Sequence, residues 1–88
     1  MTEEAFINVY PNPTSETVRF SFNLNSAASG SLYVYDGFGG IVNKVLDRGS
    51  LAEGFSEYPM DVSNLSSGVY YYSVRIAGVL RAGKFIVE

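Results

Sequence analysis

Hydrophobic and polar positions alternate with a period of two along most of this chain, the pattern of strands with one buried face. The cleanest case is Thr17-Val18-Arg19-Phe20-Ser21-Phe22-Asn23-Leu24. There Val18, Phe20, Phe22 and Leu24 are set inward, and Arg19, Ser21 and Asn23 towards water. The strongest strand follows a turn made of Asn64, Ser66, Ser67 and Gly68 and runs to Ile76. Its residues are β-branched or aromatic, which suits a pleated, half-buried surface. Tyr70, Tyr72, Val74 and Ile76 form its core face; Val69, Tyr71, Ser73 and Arg75 form the other.

The remaining strands read as partners of these two. Phe6 to Tyr10 is short and stops at Pro11-Asn12-Pro13-Thr14-Ser15. Two prolines there fix φ and remove two amide donors, which predicts a rigid corner with local hydrogen bonds to Asn12, Thr14 and Ser15. Asn25 to Gly30 reads as a polar loop, and Ser31 to Asp36 as a strand with Leu32 and Val34 inward and Tyr33 and Tyr35 on the opposite face. Asp36-Gly37-Phe38-Gly39-Gly40 is a tight reversal. Ile41 to Leu46 returns beside it, its inner face open between Ile41/Val45 and Val42/Leu46, and Asp47 to Gly54 reads as a loop. Tyr58, Met60 and Val62 share a face of the next strand, where Pro59 predicts a sheet edge or a bulge. Leu65 plugs one end of the core. Val79 to Val87 is the last strand, after a turn at Ala77-Gly78. Seven strands with turns at short intervals predict an all-β fold, an immunoglobulin-like antiparallel β-sandwich.

Composition narrows the function. The chain has 88 residues, 47% of them hydrophobic, with seven tyrosines and six phenylalanines, so it has enough apolar material for a single core. Residues 1–5 read as an expression start or the remnant of a linker, and 6–88 as one domain. Met1-Thr2-Glu3-Glu4 is acidic where a leader peptide is basic. A net charge of −3 argues against nucleic acid as a partner. No apolar run reaches the roughly 18 residues of a membrane span. With no cysteine and no histidine, thiol nucleophiles, the commonest general base and most zinc sites are absent.

What remains for catalysis is thin. The serines sit in turns without a base. Asp47, Glu53, Glu57 and Asp61 contain the carboxylates for a hydrolase pair, but solvation explains them better. Asp36 to Gly39 and Asp61 to Asn64 offer too few oxygens for calcium and read as turn caps. Asn64-Leu65-Ser66 fits a glycosylation sequon. Arg19, Lys44, Arg48, Arg75, Arg81 and Lys84 are spread along the chain and form no cluster in sequence. Tyr33, Tyr35 and Tyr71 share an outward face, which suggests either ordinary cross-strand pairs or a platform for sugar or a neighbouring domain.

Four segments, taken in order, point further: Val9-Tyr10-Pro11-Asn12-Pro13-Thr14, Tyr35-Asp36-Gly37-Phe38-Gly39-Gly40, Asp61-Val62-Ser63-Asn64-Leu65-Ser66-Ser67-Gly68-Val69-Tyr70 and Gly83-Lys84-Phe85-Ile86-Val87. Together they resemble the type A C-terminal sorting domain of the type IX secretion system, over about Phe6 to Glu88. The resemblance implies a non-catalytic secretion signal without cofactors at the end of a larger protein of Gram-negative Bacteroidetes. Its implied partners are an N-terminal cargo domain, the outer-membrane translocon with its carrier protein, and a cell-surface sortase that removes the domain. The cargo passes through the periplasm and is then secreted or held at the cell surface.

The expected recognition surface comprises Tyr10, Pro11, Asn12 and Pro13 at the corner, Gly68 and Tyr70 at the turn-strand, and Gly83, Lys84, Phe85, Ile86 and Val87 at the end. A free or frayed terminal strand would be read by strand addition, and the same edge could pair two copies into a homodimer. The competing reading is an immunoglobulin-like accessory module that binds carbohydrate or a neighbouring domain on the Tyr33/Tyr35/Tyr71 face.

Overall fold

The computed structural model describes residues 7–88. The expectations for residues 1–5, and for Phe6 in the first strand, lie outside the described residues. Among the described residues there are seven strands: β1 (Ile7–Tyr10), β2 (Thr17–Leu24), β3 (Ala28–Tyr35), β4 (Ile41–Leu51), β5 (Gly54–Asp61), β6 (Gly68–Ile76) and β7 (Val79–Val87). They form a three-stranded sheet of order β1-β2-β5 and a four-stranded sheet of order β4-β3-β6-β7. Every strand pair is antiparallel, as expected for an immunoglobulin-like sandwich.

The core lies between the sheets and is made by the alternating positions. Val18, Phe20 and Phe22 of β2 are buried with Met60 and Val62, facing Leu32, Val34, Tyr70, Val74, Ile76, Phe85 and Val87 from the other sheet. Phe20 is its centre. Its ring meets Tyr72 edge-on at 5.8 Å and Phe85 edge-on at 6.0 Å, the attractive geometry for aromatic quadrupoles. Burying one such ring stabilises the fold by about 1.5–3 kcal/mol. Leu65 packs against the core as expected.

Several local expectations change. Ser21 is buried rather than wetted. The Tyr10 hydroxyl of β1 reaches Glu57 of β5, and the ring must cross β2 where Ser21 pairs with both Asn8 and Glu57. β3 begins at Ala28, inside the expected loop, and β4 continues to Leu51, so most of the predicted Asp47–Gly54 loop is strand. Register shifts along β3 and β4 remove the ambiguity of β4's inner face. Extra residues at the bulges turn Val42, Val45 and Leu46 all against the core, while Ile41 is exposed. Pro59 does lie on an edge strand, opposite Arg19 of β2. Asp36 and Asp61 cap turns: Asp36 Oδ1 accepts the amides of Phe38 and Gly40, and Asp61 Oδ1 accepts the amide and hydroxyl of Ser63.

Candidate recognition surface

The corner and the terminal strand meet. β1 ends at Tyr10, and the chain leaves the three-stranded sheet through Pro11-Asn12-Pro13 before re-entering it at Thr17. Both peptide bonds preceding these prolines are cis. On this excursion Thr14 forms a parallel bridge to Val87, on the open edge of the other sheet. The Thr14 amide donates to the Ile86 carbonyl at 2.9 Å, and the Glu88 amide donates to the Thr14 carbonyl at 2.8 Å. One turn of chain earlier, Asn12 Oδ1 accepts the Ile86 amide at 3.0 Å. Because proline carries no amide, Thr14 is the first residue of the corner after Asn12 whose backbone can donate.

The latch is anchored from below. Thr14 is buried, and its hydroxyl donates to the Thr17 carbonyl at 2.8 Å. The Val62 amide donates to the Glu16 carbonyl, which ties the far end of the corner to the end of β5. Asn12 was expected to bond locally; its partner lies 74 positions away. The terminal strand was expected to be free, but its outer edge is occupied from Ile86 to Glu88. By strand alternation the backbone groups of Leu80, Ala82 and Lys84 face the same way, and among the described residues no strand lies beside them.

The expected recognition residues separate by exposure. Tyr10, Pro11, Asn12, Pro13, Lys84 and Ile86 are exposed and form the outside of the latch. Beside it lies a cleft of about 360 Å³ lined by Pro11, Pro13, Ser15, Glu16, Arg19 and Glu88. Tyr70, Phe85 and Val87 are buried beneath, with the Tyr70 and Phe85 rings stacked at 6.0 Å. The Tyr70 hydroxyl donates to the Ser66 carbonyl at 2.7 Å, closing the arch around Gly68 in the manner of the tyrosine corner of immunoglobulin-like folds. Gly83 lies under the Tyr72 ring, its cross-strand partner, and a Cβ there would come within 2.6 Å of Tyr72 Cζ. These residues hold the surface in place.

Thr14 was missed as the centre of the site. Its only signal in sequence is its place directly after Pro-Asn-Pro.

A second surface assembles residues that sequence separates. On the outer face of the four-stranded sheet Tyr35 stands opposite Tyr71, and Tyr33 opposite both Ser73 and Lys44. Arg75 faces Ser31, and Lys84 faces Tyr71. Arg48, with φ 52°, donates its amide to Ser31 Oγ at 3.0 Å. The scattered cations therefore do cluster: Lys44, Arg48, Arg75 and Lys84 share this face. Three of the four carboxylates weighed for a hydrolase pair accept hydrogen bonds from other residues, Asp61 from its own turn. Asp47 accepts the Tyr33 hydroxyl at 2.6 Å, which raises the tyrosine's pKa. Glu57, in the other sheet, does the same for Tyr10.

Residues 8–88 match the family model described as the secretion system C-terminal sorting domain, nearly the whole chain. No curated protein matches the chain.

Proposed function

This chain belongs to the family of type IX secretion C-terminal sorting domains, and we propose that the latch of corner and terminal strand is the part the export machinery reads. A domain of this family is a signal rather than a catalyst. It directs the protein that carries it across the outer membrane, to the surface or the medium. Its partners are the type IX machinery and the cargo ahead of it.

The observation that supports the latch is that Asn12 and Thr14 bond to Ile86 and Glu88. Two segments from opposite ends of the domain thereby become one rigid patch, available only when the sandwich has folded. Such a patch reports folding to a carrier protein of the translocon, which would admit folded cargo during its passage through the periplasm. Its exposed contacts are Tyr10, Pro11, Asn12, Pro13, Lys84 and Ile86. A surface sortase then cuts ahead of the first strand. In a homodimer, two copies would pair along Leu80, Ala82 and Lys84, the part of the β7 edge the latch leaves uncovered.

The test is a fluorescent reporter with a periplasmic export signal, fused ahead of residues 5–88. It is expressed in a Bacteroidetes strain with an intact type IX system and in a translocon-null strain. Reporter outside the intact cells, shortened by the domain's mass and retained in the null strain, is the expected result. Deletion of Lys84 to Glu88 should keep the reporter in the periplasm. Export of the truncated fusion would rule out the terminal strand as the part that is read.

A further inference from the structure

The outer face of the four-stranded sheet carries a second cleft, which shares no lining residue with the one beside the latch. Ser31 of β3 stands between two arginines. Arg75 pairs with it from β6, and the Arg48 amide donates to its hydroxyl from β4. A cleft of about 390 Å³ lies above them, lined by Ser31, Tyr33, Tyr35, Arg48, Ser73, Arg75 and Leu80. A second hollow, on the side of the Ala77-Gly78 turn, shares Ser31, Arg48 and Arg75 with it. Arg48 and Arg75 therefore line both open depressions.

Three features show what fits there. First is charge. The chain is net negative, yet Lys44, Arg48, Arg75 and Lys84 lie on this one face. No carboxylate lines the cleft; Asp47, bonded to the Tyr33 hydroxyl, keeps its charge at the side of it, against the two arginines in the lining. A local positive field on an acidic protein selects an anion. Guanidinium is the group whose planar donors match a carboxylate.

Second is the lie of the tyrosines. Tyr33 is tied through its hydroxyl to Asp47, and Tyr35 to Ser73 at 3.1 Å. Both hydroxyls are held by neighbours on the sheet, and the Lys44 ammonium lies over the Tyr33 ring, 5.7 Å from its centre, so Tyr35 is the ring left to meet a ligand. A flat ring face rimmed by hydroxyls suits a pyranose, with its apolar C–H face and polar edge. Third, the floor of the cleft is β3 and β6, each paired on both sides, while Arg48 of β4 and Leu80 of β7 form its rims. Across that floor no strand edge is open to an extended peptide, which would need one.

We propose that this cleft binds an acidic oligosaccharide, a uronate carboxylate lying between Arg48 and Arg75 and the sugar ring resting on Tyr35. The backbone at Arg48 supports the assignment. A non-glycine residue held at positive φ is costly, and such residues gather where a side chain must be aimed.

The test is a titration of the 88-residue domain, amide by amide, by heteronuclear NMR with tetragalacturonate, neutral cellotetraose and inorganic phosphate. Saturable shifts at Ser31, Arg48, Ser73 and Arg75 are expected with tetragalacturonate and not with cellotetraose. Arg75→Gln and Arg48→Asn, the latter compatible with the backbone at that position, should each weaken binding about tenfold, and their spectra report directly that the fold survives. Three results would overturn the proposal. They are the absence of saturable shifts with tetragalacturonate, equal binding of the neutral sugar, and binding of phosphate alone.

Discussion

The Ile86 amide is held by the side chain of Asn12 at 3.0 Å, across 74 positions of sequence. Between two prolines, the asparagine side chain supplies the acceptor that a neighbouring strand would otherwise provide. The edge of β7 is thereby closed where it would be most open to another chain.

Removing the two halves of this latch should have unequal effects. Asn12→Ala takes away an exposed acceptor that water can replace, so a loss of about 0.5–1 kcal/mol is expected. Thr14→Val acts at a buried hydroxyl and leaves the Thr17 carbonyl short of a donor, for a loss of about 1–3 kcal/mol. Urea melts followed by circular dichroism measure both. Equal stabilities for the two variants would mean that the buried hydroxyl is not the anchor.

Acid should loosen the turn between β5 and β6. The Asp61 carboxylate accepts the Ser63 amide and, secondarily, the Ser63 hydroxyl, and these bonds hold its pKa below the ordinary aspartate value. A depressed folded-state pKa contributes stability that is complete above the unfolded-state pKa and is lost as pH falls through the folded one. The Ser63 amide resonance should therefore titrate below the usual aspartate range. Asp61→Asn should flatten the acid limb of the stability curve. A wild-type and a variant curve of the same slope below pH 5 would contradict this account.

The two-residue turn joining β6 to β7 offers a gain in stability. Ala77 has φ 53° and Gly78 φ 81°, both in the left-handed region, as a type I′ turn requires. Asparagine occupies that region far more readily than alanine. Ala77→Asn should raise stability by about 0.5–1 kcal/mol, seen as a higher urea midpoint at unchanged slope. A lowered midpoint would show that Ala77 makes a contact that outweighs its backbone cost.

How much of this was legible in sequence follows from how far each interaction reaches. The limits of β2 and the inner face of β6 follow from strict alternation, and the start of β7 from the Ala77-Gly78 turn, all properties of neighbouring residues. Ser21 escaped because the ring that covers it starts on β1 and ends on β5. The inner face of β4 stayed open because bulges break the period on which the reading depends. The corner was readable as rigid, but not its partner, since nothing near Asn12 points to Ile86. Arg48 and Arg75 each read as exposed strand or loop positions. Only the order β4-β3-β6 brings them to either side of Ser31.

The last prediction concerns Gly83, which resemblance placed in the recognition surface and packing explains. Tyr72 lies across its α-carbon, with the ring fixed edge-on against Phe20 at 5.8 Å. Burial raises the pKa of the Tyr72 phenol, in keeping with a ring that is not free to swing out. Gly83→Ala should therefore overpack this site and cost about 1–3 kcal/mol. Tyr72→Ala alone should also destabilise, by loss of the contact with Phe20. If the two residues conflict only through the added methyl group, Gly83→Ala should cost much less in the Tyr72→Ala background than in the wild type. A double-mutant cycle with urea melts reads this coupling directly. Additive losses would place the demand for glycine in the β7 backbone, and export assays of Gly83→Ala would then report on recognition and not on packing.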